Sequence, residues 1–135
     1  MRRNKTHDTG LLIIRIGIGL AFFFHGLPKL MEGIEGWENL GQNMLVFGIG
    51  FAPAFWGFLS ASAECIGGLL IVLGIVFRPA AFILCINMIV ALTMHLKHGD
   101  SFITYSHALE TFVVFFALLI SGSGQFKLGG KRQRR

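Results

Sequence analysis

A small set of side chains that could bind a ligand or carry a proton lies inside long apolar stretches of the sequence. The acid Glu64 is set within the run from Ser60 to Arg78, which is long enough to cross a bilayer. A lipid-facing acid near the bilayer centre costs roughly 2.5–3.5 kcal/mol, so such residues normally face a partner, a cavity or a ligand. The candidate partners are the other polar residues of the apolar runs: Arg15, His25, Lys29, Asn87, His95, His107 and Glu110.

Glu64 and Arg15 are the first candidate pair, because an arginine side chain on one helix can bridge much of the estimated difference in depth. Two interpretations stay open. In one, the ion pair only fixes the packing of two helices. In the other, Glu64 exchanges protons and Arg15 sets its charge. Both can hold at once.

His25 and Lys29 lie one helical turn apart at the end of the first apolar run. A histidine donor beside a cation suits a quinone carbonyl oxygen, where protons are needed when quinone becomes quinol. Lys29 could instead only extend its ammonium group toward the interface. We predict quinone contacts at His25 and Lys29. The further ligand-binding candidates are Asn87, His95 and His107, and the catalytic candidates are Glu64, Glu110 and Arg15.

His107 and Glu110 are three residues apart in the last apolar run, the reverse of an ExxH step, and His95 could approach them. Metal sites in four-helix bundles use two such steps, and this chain has one. Haem ligation by two histidines would lack any distinctive spacing here. We therefore expect no metal, and a polar network that satisfies its own hydrogen bonds is the main alternative to a ligand site.

The apolar runs predict the elements that position these residues. Hydrophobic residues make up 53% of the chain and charged residues 14%, and the mean hydropathy is +0.66, values that indicate one membrane domain. A membrane helix needs about 20 apolar residues. The pattern predicts an all-α four-helix membrane bundle, with a short interfacial helix or re-entrant segment over about 31–51. The predicted spans are about 10–30, 53–76, 79–97 and 103–120.

The distribution of charge predicts the orientation. Four crossings place both termini on one side, together with Arg78 in the middle turn, whereas acidic residues dominate the opposite loops. The positive-inside rule then makes both termini cytoplasmic. We expect a basic N-terminus over 1–9, a membrane domain over 10–121 and a basic flexible tail over 122–135. The net charge of +5 is thus explained by basic residues on the cytoplasmic side of the membrane, and no nucleic acid is expected as a partner.

Three further sequence features bear on localisation and chemistry. The first run begins like a signal peptide, but it is longer than a signal core and no small-residue cleavage site precedes His25, so we expect a retained helix. Cys65 and Cys85 lack CxxC spacing and are expected to be small core residues. The sequence has no GxGxxG, GxxxxGK[ST] or serine-nucleophile motif, which argues against nucleotide-driven chemistry within this chain.

Two motifs carry a family resemblance. The first apolar run has an Arg…HGxxK pattern (Arg15, His25, Gly26, Lys29), and the second has ExxGGxxLxxG…R (Glu64, Gly67, Gly68, Gly74, Arg78), with Leu73 in shifted spacing. From about residue 11 to 128 the chain resembles the DoxX family of small four-helix bacterial membrane proteins. Some members are described as the membrane subunit of thiosulfate:quinone oxidoreductase, others as partners of redox or oxidative-stress enzymes. The resemblance implies the fold, the bacterial inner membrane and a redox-linked setting.

We therefore expect a membrane subunit of an electron-transfer system that binds quinone in one polar pocket inside the bundle, while a redox partner protein supplies electrons. If catalytic, it is an oxidoreductase subunit acting on quinone. One alternative is a small proton-coupled transporter for an apolar or weakly acidic substrate. Another is a non-catalytic scaffold for a redox complex. The glycines Gly19, Gly67 and Gly68 could serve packing within the bundle or between copies in a homo-oligomer.

Overall fold

The computed structural model describes residues 5–128, and every regular element in that part of the chain is helical. The elements are α1 (Lys5–Met31), α2 (Gly33–Gly41), a 3₁₀ segment (Gln42–Phe47), α3 (Pro53–Leu73), α4 (Phe77–His98) and α5 (Phe102–Ser121). Four of them, α1, α3, α4 and α5, are long and apolar enough to cross a membrane. The predicted four-helix membrane bundle and the short helical insertion between its first two spans are confirmed.

The turn between α3 and α4 is short, as predicted, although the helix ends differ by a few residues. α3 ends at Leu73 because Gly74 adopts the left-handed conformation (φ 72°) and donates its N–H to the Leu70 carbonyl at 2.9 Å. α4 begins at Phe77, two residues before Pro79. A proline fits in that first turn because the N–H groups there have no helical partner.

Glycines allow α1 to lie directly against α3. A Cβ atom on Gly19 would stand 2.7 Å from the carbonyl oxygen of Gly68, and one on Gly26 would overlap the backbone of Cys65. Only glycine permits such an approach. The predicted small-residue contact is therefore made within the bundle. It also sets Gly26 level with Glu64, so that Lys29 lies one turn further along α1.

α2 packs on the start of α3 by the same means. A side chain on Gly41 would overlap the Pro53 carbonyl, and one on Gly57 would overlap the Trp37 carbonyl. The Trp37 indole donates a hydrogen bond to the Lys29 carbonyl at 3.2 Å. These contacts hold the short helix beside the ends of α1 and α3, where it borders the cavity described below.

The two ends of the described chain meet at one end of the bundle. The carboxylate of Asp8, which is buried, accepts hydrogen bonds from the side chain of Gln125 at 2.6 Å and from its backbone at 3.2 Å. We call this end the terminal face, and the opposite end, with α2 and the loop after α4, the loop face. Lys5, Arg78 and Lys127 belong to the terminal face. The other basic residues used to predict orientation lie outside residues 5–128: Arg2, Arg3, Lys131, Arg132, Arg134 and Arg135.

The core lies between the four spanning helices. Phe22 of α1 and Phe115 of α5 are both buried, and their ring centroids are 4.7 Å apart with the rings nearly perpendicular. Leu84 of α4 and Ile71 of α3 are fully buried in the same cluster. This packing joins the last helix to the first.

Candidate functional site

A cavity of about 360 Å³ lies between the loop-face halves of α3 and α4, with α2 and the 3₁₀ segment beside it. Most of its wall is apolar and includes Trp56, Ile83, Ile86 and Val90. Its volume and apolar lining are typical of small-molecule sites, which span roughly 300–1,000 Å³. The polar side chains of its wall come from four elements: Lys29, Asn43, Ser60, Glu64, Asn87 and His95.

Glu64 is the centre of this polar wall. Its side chain is only 6% exposed, and its carboxylate accepts two hydrogen bonds from the Lys29 ammonium, at 2.7 Å to Oε2 and 3.0 Å to Oε1. The Asn87 amide donates a third at 3.0 Å to Oε1. A buried carboxylate needs this combination of a cation and further donors to offset its lost hydration.

The orientation of Asn87 is fixed from its other side. The Ser60 hydroxyl donates to the Asn87 carbonyl oxygen at 2.7 Å, so the amide NH₂ group points toward Glu64. Ser60 lies one turn before Glu64 on α3, which brings both side chains to the same face. The result is a continuous chain of hydrogen bonds from Ser60 through Asn87 and Glu64 to Lys29.

His95 lines the same cavity nearer the loop face. Its Nδ1 lies 2.7 Å from Oδ2 of Asp100, and both side chains are partly exposed. Gly99, left-handed at φ 73°, ends α4 and turns the chain so that Asp100 comes back to the helix. A carboxylate at Nδ1 fixes the ring orientation and leaves Nε2 for other bonds. This pair can exchange protons between the loop face and the cavity.

Arg15 lies away from this site, and the expected ion pair with Glu64 is wrong. Its guanidinium is buried at the terminal-face end of α3 and donates to the carbonyl oxygens of Ile71 at 3.0 Å and Val72 at 2.9 Å. It also donates to Ser123 at 2.6 Å and Phe126 at 2.5 Å, in the segment after α5. The last carbonyls of a helix attract a cation. Arg15 therefore joins α1, α3 and the C-terminal segment.

His25, His107 and Glu110 also lie outside the cavity, so the expected single pocket is corrected to two separate polar regions. The two imidazoles lie near each other between α1 and α5, with centroids 5.6 Å apart and ring planes tilted by 53°, and both lie beside the Phe22 ring. Both histidines and Glu110 are exposed at the bundle surface. Within residues 5–128, Glu110 makes no hydrogen bond or ion pair. No group of three or more metal-binding side chains occurs in the same range.

Three features of the site were not predicted from the sequence. Lys29 was one of several candidate partners of Glu64, but Arg15 was expected to form the ion pair, although Gly26 and Gly68 indicate a close helix contact at the level of Lys29. Ser60 was not predicted as a site residue, although its position one turn before Glu64 is compatible with a hydrogen-bonding role. Asp100 was not predicted either, although its spacing from His95 across a glycine is compatible with the observed pair.

Comparison with known proteins identifies the family. The model of the DoxX family matches residues 10–96. A Bacillus subtilis (strain 168) protein named "Putative oxidoreductase CatD" is 34% identical over 95 residues, which is 70% of this chain and 66% of that protein, just under two thirds of its length. No solved structure matches. The region matched by the family model contains Arg15, Lys29, Glu64, Asn87 and His95, together with most of the three spanning helices α1, α3 and α4. This multi-pass membrane protein belongs to the DoxX family.

Proposed function

We propose that this chain is the membrane subunit of a redox system and that it binds quinone in the cavity between α3 and α4. The observation that carries the proposal is the buried Lys29–Glu64–Asn87 cluster on one wall of an otherwise apolar cavity. The name of the Bacillus subtilis relative, which describes an oxidoreductase, agrees with a redox role.

The chemistry of the cavity suits the quinone ring. A quinone is flat and apolar apart from two carbonyl oxygens, which accept hydrogen bonds. The Lys29 ammonium is the strongest donor at the polar wall, and its side chain is 36% exposed, so it can turn part of its hydrogen bonding to a ligand. Asn87 offers a second donor, while Trp56, Ile83 and Ile86 supply apolar surface for the ring.

Reduction of quinone to quinol takes two electrons and two protons. Glu64 and Lys29 can each hold or release a proton beside the bound ring. The His95–Asp100 pair, at the loop-face end of the same cavity, can pass protons inward from water. Both electrons come from a redox partner protein. Cys65 and Cys85 are buried free thiols, and we assign them no part in this transfer.

The roles first predicted for the remaining residues change accordingly. Arg15 becomes a structural residue because, among the described residues 5–128, its guanidinium binds backbone carbonyls and lies over the Phe77 ring. The proposed quinone cavity does not include His25, His107 or Glu110, which line a different face of the bundle. Their roles as ligand or proton sites therefore stay predictions. A homo-oligomer likewise stays a prediction.

We also propose that the protein lies in the bacterial inner membrane with both termini in the cytoplasm. Lys5, Arg78 and Lys127 stand at the terminal face, whereas Asp100 and the acidic residues of α2 stand at the loop face. The positive-inside rule favours that orientation. The cavity then faces the periplasmic half of the bilayer.

The test is mass analysis of an organic extract from protein purified in mild detergent. Wild type and His25→Ala are expected to retain quinone at near-stoichiometric level, because His25 lies outside the cavity. Asn87→Leu is expected to lose most of it, since leucine keeps the volume but removes the amide. Absence of quinone from wild type, together with proton-coupled flux in liposomes, would replace this proposal with transport.

A further inference from the structure

Glu110 is an exposed acid in the middle of a spanning helix. It lies eight residues after Phe102, where α5 begins, and eleven before Ser121, where α5 ends, so it is about 12 Å and about 16 Å from the two helix ends. Its carboxylate forms no hydrogen bond or ion pair with the described part of the chain, residues 5–128. Lipid tails offer no hydrogen bonds, and an ionisable side chain at that depth normally faces a partner.

A stripe of α5 that faces away from the core passes through Glu110. From Ile103 its members follow at steps of four, three, four, three and four residues, the heptad spacing by which two membrane helices pack along a shallow angle. All members are exposed except Val114, which is partly buried. Two of them, Ala117 and Ser121, are small and allow a close approach of helices. We call this stripe the α5 seam, and it consists of Ile103, His107, Glu110, Val114, Ala117 and Ser121.

His107 supplies the group that complements Glu110. It lies one turn before Glu110 on the seam, and its ring stacks beside the buried Phe22 ring with centroids 6.3 Å apart. His25 of α1 is the other titratable group at this place, with its ring 5.6 Å from that of His107. Neither imidazole forms a hydrogen bond within the described range. A carboxylate accepts hydrogen bonds and an imidazole N–H donates them. The seam therefore offers an acceptor and a donor that are not used within one chain.

Two copies of the seam are complementary to each other. Copies inserted in the same orientation bring their α5 helices together in parallel, related by a two-fold axis along the membrane normal, so that the same surface serves both copies. His107 and Glu110 lie on opposite sides of the midline of the seam and differ in height by about 4.5 Å. At a usual axial separation of about 8–10 Å, His107 of one copy then faces Glu110 of the other, twice by symmetry.

We propose that a second copy of this chain binds at the α5 seam and forms a parallel dimer with two His107–Glu110 hydrogen-bonded pairs across the interface. The seam satisfies its own acid and its own donor in this arrangement, which favours a second copy over a different protein. The described part of α5 contributes no residue to the cavity between α3 and α4. The proposal is therefore independent of what that cavity binds.

Disulfide formation in native membranes tests the geometry without disturbing the polar pairs. Ala117→Cys places a thiol on the seam, whereas Phe116→Cys, the matched control, places one on another exposed side of α5. Cys65 and Cys85 are buried and are not expected to react. Because a disulfide requires Cβ atoms within about 4.5 Å of each other, Ala117→Cys is expected to form a covalent dimer at least about tenfold faster than Phe116→Cys under mild oxidation.

The polar pairs are tested by the dimer fraction of the fluorescently labelled full chain in lipid vesicles, counted by single-molecule photobleaching over a range of protein-to-lipid ratios. Glu110→Leu is expected to raise the ratio at which half of the protein is dimeric by about tenfold, since two interhelical hydrogen bonds of the strength usual in membranes are lost. Phe116→Leu, outside the seam, should match wild type.

An exchange of the two polar residues separates pairing from general polarity. His107→Glu alone places two acids on each copy and is expected to weaken the dimer at least as much as Glu110→Leu. Combined with Glu110→His it restores one acid and one imidazole, and the dimer should return to near the wild-type ratio.

Three results would overturn the proposal. The first is a wild-type protein that stays monomeric at every protein-to-lipid ratio, which would leave the seam to a different protein. The second is equal cross-linking of Ala117→Cys and Phe116→Cys, or none in Ala117→Cys. The third is a Glu110→Leu protein that dimerises as readily as wild type.

Discussion

Nζ of Lys29 lies 2.7 Å from Oε2 of Glu64, and this ion pair bridges α1 and α3 one turn beyond the place where Gly26 touches the Cys65 backbone. The contact at Gly26 sets the distance between α1 and α3. The Lys29 side chain then reaches the Glu64 carboxylate from the loop-face end of α1. Glu64 is almost wholly enclosed while Lys29 is partly open. The lysine is therefore the member of the pair that a ligand can approach.

The first prediction concerns the two halves of this ion pair. Lys29→Met is expected to lower the free energy of unfolding by about 2 kcal/mol, because Glu64 stays buried without its cation. Glu64→Gln together with Lys29→Met should recover much of that loss, since the remaining amide can still bond to Asn87. Thermal unfolding in mild detergent measures both. Lys5→Met, at an exposed position of the terminal face, is the control, and a Lys29→Met protein as stable as that control would contradict the prediction.

The second prediction concerns the glycine contact. Gly26→Ala is expected to destabilise the protein by roughly 1–3 kcal/mol because the new methyl group must push α1 away from α3. Gly17→Ala is the matched control on the same helix, where a Cβ atom meets nothing within 4 Å. That control should leave stability unchanged or raise it slightly, by up to about 1 kcal/mol, through helix propensity. Equal behaviour of the two variants would disprove direct contact at Gly26.

The third prediction separates Arg15 from the ligand site. Arg15→Lys is expected to reduce stability by about 2–4 kcal/mol, because a single ammonium group cannot reach the four carbonyls that the guanidinium binds. Quinone bound per folded molecule should stay at the wild-type level. Arg78→Lys, at an exposed position, serves as control. An Arg15→Lys protein that is as stable as wild type but no longer binds quinone would contradict this prediction and would indicate that Arg15 takes part in ligand binding.

The fourth prediction is the orientation in the membrane. Cys65 and Cys85 are buried, so a single introduced cysteine can be labelled selectively with a membrane-impermeant maleimide. Ser101→Cys, on the loop face, is expected to react in intact spheroplasts. Lys127→Cys, on the terminal face, should react only after the membrane is opened. The reverse pattern would invert the topology and place the cavity toward the cytoplasm.

The helices could be predicted from the sequence, whereas the pairing of polar residues could not. Apolar runs of spanning length predict the four spanning helices to within a few residues, although the left-handed Gly74 ends α3 earlier than the predicted boundary near residue 76. His25 and Lys29 are about 40° apart around the helix axis, which suggested one shared site. In the bundle α1 lies between α3 and α5. Because the two side chains differ by about 40° around α1, Lys29 contacts Glu64 of α3 while His25 lies beside His107 of α5.

The estimated depth of Arg15 in the membrane was the other reason why its pairing with Glu64 was wrongly predicted. A rise of about 1.5 Å per residue places Arg15 toward the terminal face and Glu64 near the middle, and the length of the arginine side chain was expected to bridge that difference. The sequence does not show that the C-terminal segment folds back beside the end of α3. Its carbonyl groups, with those of Ile71 and Val72, satisfy Arg15 where it stands.

The most direct test of the account is a fluorescence titration of the purified protein with quinone, since Trp56 lines the cavity and quinones quench indole emission. The account predicts saturable quenching in wild type and in His25→Ala, and a much smaller saturable component in Trp56→Phe, which lacks the reporter, and in Asn87→Leu, which lacks a donor. Quenching in Asn87→Leu that saturates at the same quinone concentration as wild type would contradict it. Quenching in wild type that rises linearly without saturation would do the same.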